Sequence, residues 1–349
     1  MGNQISLREL YQSDGEQVFT AKLCELLDKG EVKPEQISLN RLASAITGRY
    51  CDGESVLQEA IQSGTFQTIT TKLISKKVID AYTLTPTLGM SKLVEVVPSN
   101  KQVEKIAGWA AWDMPKVVAE GEEYPQMGTY EKYFEIPNVK YGRIISLTEE
   151  AVLFDQTNEL LRRAASLGEK AALHQEKLIV EKVVDAASDA YNGSALYSQA
   201  SYGNYPASAA NLTKTTLEAA WTALAGMTDE NSDPIITTPN LILCNKDAYF
   251  KAIELMRSPE GPETANRVIN VHQGLAEVQW SPFITTSQSW LYGDFKKQFK
   301  YTEIWPIQVL SRRGQDTSEG FLKDTIYQYK VRYYGGVRAI DHRFVYKGK

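Results

Sequence analysis

Residues 115–152 read PKVVAEGEEYPQMGTYEKYFEIPNVKYGRIISLTEEAV, and they contain the change of pattern that decides the fold. The runs KVVAE and YFEIPNVKYGRIIS are rich in β-branched and aromatic residues and predict two strands of a long hairpin within residues 108–147. The stretch between them, EGEEYPQMGTYEK, is acidic and rich in turn residues, so it has too few apolar side chains to form its own core. Because a two-stranded arm is marginally stable alone, we predict that the hairpin lies on another surface.

A long helix is predicted directly after the hairpin, over residues 148–187. This segment has no proline and a single glycine, and it is dominated by the good helix formers Ala, Leu, Glu, Lys and Gln. About forty residues at about 1.5 Å each span on the order of 60 Å, which is long for a globular core. Gly168 is predicted to be a bend point. Two consecutive helices broken at Gly168 are the alternative.

The first segment of the chain, residues 1–64, is predicted to form short helices that end at glycines. The first of these helices has an apolar stripe at Val18, Leu23, Leu26 and Leu27. We expect this segment to serve assembly and not to complete the core.

A further amphipathic helix is predicted at the start of residues 65–107, and Thr85-Pro86 ends it. Its apolar stripe consists of Phe66, Ile69, Leu73 and Val78.

The second half of the chain is predicted to be a mixed α/β region followed by long strands. Residues 188–295 contain a buried-type strand and a helix capped by Asn245. Residues 296–349 return to extended structure, in which Tyr327, Tyr329, Val331 and Tyr333 alternate with polar residues and predict a half-buried strand. Gly335-Gly336 is predicted to end this strand in a turn.

The composition is that of a folded globular chain. Its 349 residues are 43% hydrophobic and 23% charged, and the net charge of −5 lacks the basic excess of a dedicated nucleic-acid binder. No apolar run reaches the length of a membrane span, and no signal peptide is recognisable. Cys24, Cys51 and Cys244 fit neither a zinc nor a redox motif, so folding in a reducing cytoplasm is expected.

No pattern in the sequence points to catalysis, a metal or a cofactor. His174, His272 and His342 are far apart, and none has a second histidine one helical turn away. The motifs of serine hydrolases, P-loops and dinucleotide sites are absent from the sequence. We therefore expect a protein that is not an enzyme and has no catalytic, cofactor-binding or metal residues. A soluble enzyme with an unrecognised site is the alternative from another class.

The order of elements resembles the HK97-like major capsid proteins of tailed dsDNA bacteriophages. In that family an N-terminal arm precedes an extended hairpin called the E-loop, a long spine helix follows, and peripheral (P) and axial (A) domains complete the subunit. The resemblance rests on residues 115–152, on NLILCNKDAYFKAI at 240–253 and on FLKDTIYQYKVRYYGGVRAID at 321–341. The resemblance covers about residues 65–345. It rests on the order of the predicted elements and on the kinds of residues in each, since the family has no catalytic motif.

The resemblance implies an α+β fold with six parts. They are an N-terminal helical segment at 1–64, an N-arm at 65–107, the E-loop at 108–147, the P-domain spine helix at 148–187, the A-domain at 188–295, and P-domain strands with the C-terminus at 296–349.

The resemblance also implies function and partners. The chain is expected to assemble with itself into the hexamers and pentamers of an icosahedral shell, in a virion that is assembled in the host cytoplasm. Scaffolding, portal and decoration proteins are expected partners, as is packaged dsDNA through non-specific interior contacts, and no membrane is expected. A protein nanocompartment shell of the encapsulin type is the alternative.

The site residues that the resemblance implies lie in intersubunit contacts. The expected E-loop contacts are Glu120, Glu122, Tyr124, Met127, Tyr130 and Lys132. Arg312 and Arg313 are the expected interface charges opposite the acidic E-loop.

Some relatives in that family join subunits by an isopeptide bond between an E-loop lysine and an asparagine. This chain has lysines in the E-loop, Lys116 and Lys132. It has no asparagine after Asn270, so the closing strands contain no partner for an isopeptide bond. We therefore expect a shell without covalent links between subunits.

Overall fold

The structure is a computed structural model that describes residues 7–34, 37, 39–49, 59–60, 63–108, 117–118, 120, 123, 133–148, 159–185, 190–191, 194–260, 269–313 and 325–349. The chain divides into two compact units. Unit 1 consists of Met1–Pro86, Lys140–Leu173 and Trp305–Tyr334, and unit 2 consists of Thr87–Val139, His174–Ile304 and Gly335–Lys349. The finer division into six parts stays a prediction.

Helices dominate the first part of the described chain, and strands dominate its last part. The α-helices are α1 Leu7–Lys29, α2 Leu39–Thr47, α3 Gly64–Leu84, α4 Glu159–Val184, α5 Gln199–Tyr202, α6 Lys214–Ala225, α7 Lys246–Arg257 and α8 Phe295–Gln298, and a π-helical turn spans Gly89–Leu93. The strands are β1 Glu95–Pro98, β2 Val103–Ala107, β3 Tyr133–Pro137, β4 Val139–Thr148, β5 Ala190–Tyr191, β6 Ser194–Ala195, β7 Leu241–Cys244, β8 Glu277–Trp280, β9 Trp290–Gly293, β10 Phe299–Arg313, β11 Thr325–Ala339 and β12 Val345–Lys347.

The core of unit 1 lies between α1, α2, α3, the first part of α4 and one face of β10 and β11. The expectation that residues 1–64 do not complete the core is therefore wrong, because Phe19, Leu23, Leu27 and Leu42 are buried in this cluster. Their role in assembly stays a prediction.

The apolar stripe predicted for α3 is confirmed, because Phe66, Ile69, Leu73 and Val78 are all buried. The helix ends before Thr85, as Thr85-Pro86 predicts.

The stripe predicted for α1 is correct at Leu23 and Leu27 and wrong at Val18. Val18 is 54% exposed, whereas its neighbour Phe19 is 1% exposed. One residue corresponds to about 100° around a helix, so the larger aromatic side chain takes the core position. The predicted helix near residues 56–61 falls mostly outside the described residues.

The predicted spine helix is α4, and its predicted start at Thr148 is wrong. Thr148 is the last residue of β4 and is not helical, and residues 149–158 lie outside the described part of the chain. The helix runs without interruption through Gly168, so the alternative of two helices broken there is wrong. A Cβ at Gly168 would lie 2.3 Å from the carbonyl oxygen of Val78 in α3, so close packing of two helices requires glycine at this position. A bend at this residue stays a prediction.

One sheet has the strand order β1-β10-β11-β4. The half-buried strand predicted at Tyr327–Tyr333 is confirmed, since the four odd-numbered residues are buried and Lys330 is exposed. On the polar side, Gln328 is also buried and accepts a hydrogen bond from Arg312. The turn predicted at Gly335-Gly336 is wrong, because β11 continues through both residues to Ala339. These glycines allow close contact: a Cβ at Gly335 would lie 2.5 Å from the carbonyl oxygen of Thr302.

Unit 2 contains a second sheet with the order β12-β9-β7-β8. Its centre is β7, which pairs in parallel with β8 and antiparallel with β9, and all four residues of β7 are buried. The cap predicted for α7 is confirmed, since the Asn245 side chain accepts a hydrogen bond from the Ala248 N–H at 3.0 Å.

The hairpin predicted within residues 108–147 differs from the structure in two ways. The strand predicted at KVVAE is wrong at Val117 and Val118, which lie in no strand, and Val117 is fully exposed. The predicted strand after it is divided at Asn138 into β3 and β4, and β3 pairs with the earlier strand β2. The base of the hairpin is therefore the ribbon β2–β3, which leads into residues 109–132.

Candidate functional site

The strands of unit 1 carry charge of a single sign. Residues 139–148, 305–313 and 325–334 contain six lysines and arginines and no aspartate or glutamate, although the whole chain has a net charge of −5. The basic residues are Lys140, Arg143, Arg312, Arg313, Lys330 and Arg332. Strands with like charges repel one another and attract anionic groups, so this uniform sign marks the part of the sheet in unit 1 as a candidate recognition surface.

The two faces of this sheet have different roles. Tyr327, Tyr329 and Val331 point into the core of unit 1, and Ile307 and Val309 pack against it from β10. Alternation along a strand therefore places the even-numbered residues of β11 on the opposite face. We call this opposite side, with Lys140, Arg312, Lys330, Arg332 and Trp305, the basic sheet face.

Arg332 is held at the centre of the basic sheet face. Its guanidinium carbon lies 4.2 Å from the ring centroid of Trp305, and its Nε donates to Gln308 Oε1 at 3.2 Å. Trp305 also makes an edge contact with Tyr334, with ring centroids 5.4 Å apart. An arginine stacked on a tryptophan keeps its outer N–H groups in a fixed plane, which suits a carboxylate that binds through both oxygens.

The neighbouring strand leaves this arginine accessible. Gly142 in β4 faces Arg332, and a Cβ there would lie 3.3 Å from the Arg332 Cβ. On the same side of β4, Lys140 and Ile144 are exposed, the latter by 57%. Within the described residues, neither Lys330 nor Arg332 forms a salt bridge.

Of the two predicted interface arginines, Arg312 lies on the basic sheet face. It is exposed, and its Nε donates to Gln328 Oε1 at 2.7 Å. Arg313 is the last residue of β10, and its side chain lies outside the described part.

Among the predicted E-loop contacts, Glu120 is described and is exposed in a turn. Glu122, Tyr124, Met127, Tyr130 and Lys132 lie outside the described residues, so their contacts stay predictions.

Unit 2 presents a different kind of surface, with large apolar side chains exposed on α7 and around residues 269–271. Phe250 is 78% exposed, and Ile269 and Val271 are 79% and 68% exposed. Tyr249 lies between Phe250 and Trp280, with ring centroids 5.7 Å and 6.3 Å away. Exposed apolar groups of this size are typical of surfaces that become buried in an assembly.

Reactive chemistry is not evident in the described residues. No group of three or more His, Cys, Asp or Glu side chains there is placed to hold a metal ion. Burial raises the pKa of the Cys244 thiol to about 12, so it stays protonated and is a poor nucleophile. His272 is buried, and its Nε2 makes a hydrogen bond with Glu218 Oε1 at 3.0 Å, which joins a loop to α6. No helix in the described part is long and apolar enough to cross a membrane.

Sequence reasoning missed the Trp305–Arg332 pair and the uniform charge of the strands. The charge was visible in the sequence, because the three strand segments contain no acid. The aromatic partner was not, since Trp305 lies two residues before core-facing Ile307 and simple alternation would place it on the core side. Pro306, which has no N–H to donate to the ladder, lies between them.

Comparison with known proteins gives one family and several similar structures. The family described as Phage capsid protein matches residues 135–348. No curated protein matches the chain. The structure is similar to the capsid of an empty GTA particle, with a TM-score of 0.50 and 11% identity over 75% of this chain and 89% of that one.

Two further structures are similar at lower TM-scores. The capsid of the native GTA particle matches at 0.49, with 12% identity over 76% of this chain and 90% of that one. A chain of Microbacterium phage Oxtober96 matches at 0.47, with 9% identity over 72% of this chain and 84% of that one.

Proposed function

Because the chain belongs to the phage capsid protein family, it is a shell-forming major capsid protein with the HK97-like fold, and we propose that its basic sheet face receives the E-loop of a neighbouring copy. The single observation that carries this proposal is the uniform positive charge of the strands in unit 1.

The E-loop has the complementary charge. Residues 117–135 contain five glutamates and one lysine, and Glu120 and Glu123 are exposed where the structure describes them. An exposed ion pair contributes only about 0–1 kcal/mol, so these charges supply orientation and a faster encounter more than binding energy.

Apolar contacts would supply most of the binding energy. The loop offers Tyr124, Met127 and Tyr130, and the basic sheet face offers Trp305 and the exposed Ile144. Burial of apolar surface contributes roughly 25 cal/mol per Å², and the same contact would recur in every subunit of the shell. Aromatic and arginine side chains at the centre of an interface are the residues that most often dominate its energy.

We propose that this cohesion is non-covalent. The lysines Lys116 and Lys132 have no asparagine acceptor in the closing strands, because the last asparagine of the chain is Asn270. Lysine amines are also protonated at neutral pH unless a dry pocket lowers their pKa. Denaturing gel electrophoresis of mature particles should show one band near 39.1 kDa. A ladder of linked species that survives boiling would contradict this part of the proposal.

The contents and partners of the shell are also proposed. We infer that it encloses a dsDNA genome through non-specific contacts, that scaffolding, portal and decoration proteins assist it in the host cytoplasm, and that it has no enzymatic activity. Membership of a phage capsid family favours a viral shell over an encapsulin-like compartment. Nuclease-protected DNA in particles from the native source would support the viral shell, whereas particles filled with protein alone would support the encapsulin-like alternative.

The E-loop contact is tested by deletion of residues 120–130. We expect a soluble, folded subunit that forms no closed shells in sedimentation and electron microscopy, because the neighbouring copy loses the element that its sheet binds. Closed shells of normal diameter from this deletion would overturn the proposal.

A further inference from the structure

The ribbon β2–β3 ends at a buried asparagine. The five residue pairs of the ribbon run from Val103 opposite Pro137 to Ala107 opposite Tyr133. Asn138 follows directly and is 7% exposed. Its side-chain Nδ2 donates to the Lys101 carbonyl at 2.9 Å, and its backbone N–H donates to the Gln102 carbonyl at 3.0 Å. One residue therefore closes the base of the hairpin from both backbone and side chain.

The same asparagine is tied to the long strands of unit 2. The hydroxyl of Thr302 in β10, which is fully buried, donates to Asn138 Oδ1. The Gly336 carbonyl in β11 lies 3.2 Å from the same hydroxyl. A hydroxyl has one proton, so Thr302 donates it to the closer Asn138 Oδ1. The Gly336 carbonyl oxygen lies beside the same hydroxyl as a second acceptor. Three segments of chain distant in sequence thus meet at one side chain.

Two close backbone approaches hold the ribbon on unit 2. A Cβ at Gly336 would lie 2.5 Å from the Pro137 carbonyl oxygen. A Cβ at Gly108, where β2 has just ended, would lie 2.6 Å from the ring of Phe134 and 3.3 Å from the Ile340 carbonyl oxygen. The ribbon, which belongs to unit 2, therefore contacts the rest of that unit at its base and near its exit.

Side chains complete this seating. Phe134 and Ile136 are buried along one side of β3, and Arg338 Nη1 donates to the Glu135 carbonyl at 2.6 Å. An isolated two-stranded ribbon is marginally stable. These contacts give it a fixed direction on unit 2, although Tyr133 at its end is 56% exposed.

From this geometry we propose that Asn138, Thr302 and Gly336 form a positioning clamp that sets the exit direction of the E-loop and thereby the curvature of the shell. The inference rests on the proposed contact between the E-loop and a neighbouring copy. A small rotation at the base is magnified with distance, so a rotation of about 5° displaces a group about 40 Å away by about 3 Å. A displacement of that size moves a side chain out of hydrogen-bond reach of its partner.

A buried polar group also needs a partner for stability alone, so the experiment must separate geometry from stability. Thr302→Val removes the hydroxyl with little change of shape, and Thr302→Ser restores it. Ile242→Val, in the separate core around β7, is the matched control for a modest loss of stability. For each full-length variant, urea unfolding of the dissociated subunit and the diameters of assembled particles by electron microscopy are measured.

We expect Thr302→Val to lower the urea midpoint about as much as Ile242→Val does. It should also reduce the share of closed shells of normal diameter about tenfold in favour of open sheets or aberrant shells. Thr302→Ser should restore normal shells, and Ile242→Val should retain them. Normal diameters from Thr302→Val, or the same aberrant particles from Ile242→Val, would overturn the clamp.

Two further arms keep the result unambiguous. If Thr302→Val does not fold, Arg338→Gln tests the same seating, because this side chain ties the ribbon from its partly exposed side. We expect aberrant diameters from this variant too, and normal ones count against the proposal. The deletion of residues 120–130 tests the premise: normal shells from that deletion refute the E-loop contact itself, whereas failed assembly with normal Thr302→Val shells refutes the clamp alone.

Discussion

The two units of this capsid protein place their charges differently. Among the described residues, the buried acidic, basic and histidine side chains belong to unit 2, where they are Glu176, His272, Asp341 and Arg343. The buried polar side chains described in unit 1 are the uncharged Thr65, Thr70 and Gln328. The described charges of unit 1 lie on its surface, and those of the basic sheet face, such as the exposed Lys330, are all positive.

The difference indicates a division of roles. An exposed charge contributes little to the stability of its own subunit and acts at a distance on a partner, and salt screens it. A buried charge fixes internal geometry, and removal of its partner is strongly destabilising. Substitutions on the basic sheet face should therefore affect assembly, and substitutions of buried charges should affect folding.

The largest effect is expected from reversal of charge on the basic sheet face. In the double variant Lys330→Glu/Arg332→Glu, glutamates would oppose the acidic E-loop of the neighbouring copy. Like charges in an interface cost several kcal/mol, so closed shells should be lost. The subunit should still fold, since the lost Arg332–Trp305 contact contributes about 0.5–1 kcal/mol.

The matched control is Lys246→Glu/Lys296→Glu, which makes the same change of charge at two exposed lysines of unit 2. We expect this variant to assemble. Wild-type assembly should also slow as salt rises. Equal loss of shells in both variants, measured by sedimentation, would show that net charge and not the basic sheet face is responsible.

The second largest effect is expected at the buried ion pair of unit 2. Arg343 Nη2 donates to Asp341 Oδ2 at 2.8 Å, and both side chains are at most 4% exposed. Arg343→Met should destabilise the subunit by about 3–5 kcal/mol, because it leaves a buried carboxylate without its cation. Glu230→Gln, which alters the 40%-exposed second partner of Arg343, is the control and should change stability by under about 1 kcal/mol. Similar urea midpoints for the two variants would contradict this assignment.

The sequence predicted the order of elements better than the contacts between them. The stripe of α3, the cap at Asn245 and the alternation of β11 follow from local periodicity, and the structure confirms them. Gly335 and Gly336 are predicted to form a turn. They instead make room for carbonyl oxygens of β10 and β3, and the sequence does not reveal which strands lie beside them.

The candidate site was predictable only in part. The acidic loop and Arg312 were identified from the pattern of charges along the chain. Arg332 stacks on Trp305, which lies 27 positions before it in the sequence. Asn138 binds Thr302, which lies 164 positions after it. No local pattern encodes such pairs without knowledge of which strands are neighbours.

A third, smaller effect is expected at Gly168, in the uncharged interior of unit 1. Glycine in a helix costs about 0.5–1 kcal/mol relative to alanine, so propensity alone favours Gly168→Ala. The added Cβ would lie 2.3 Å from the Val78 carbonyl oxygen, and overpacking of this kind costs about 1–3 kcal/mol. We expect net destabilisation by about 1–2 kcal/mol in urea unfolding. Ser166→Ala, at an exposed position of the same helix, should be neutral or slightly stabilising.

The smallest effect is expected at Glu176, the buried carboxyl of α4 that lies in unit 2. Its Oε2 accepts the Gly89 N–H at 2.6 Å. Burial raises the pKa of this carboxyl, and the hydrogen bonds from Gly89 and Leu88 oppose that shift only in part. A raised carboxyl pKa stabilises the folded state below the unfolded pKa of about 4.3, and this stabilisation is lost as pH rises through the folded value.

Glu176→Gln keeps an acceptor for the Gly89 N–H and removes the ionisation. The variant should therefore gain stability relative to wild type as pH rises from about 4 to neutral, and the difference should level off above the folded pKa. Glu181→Gln is an exposed change in the same helix and is the control. It removes only a weak ion pair with Lys177, so its stability relative to wild type should change little with pH. The measurement is urea unfolding of both variants between about pH 4 and 8. A wild type that becomes more stable than Glu176→Gln as pH rises would mean that the ionised carboxylate is favoured by its contacts, and that unit 2 uses this buried charge as a cap on the π-helical turn.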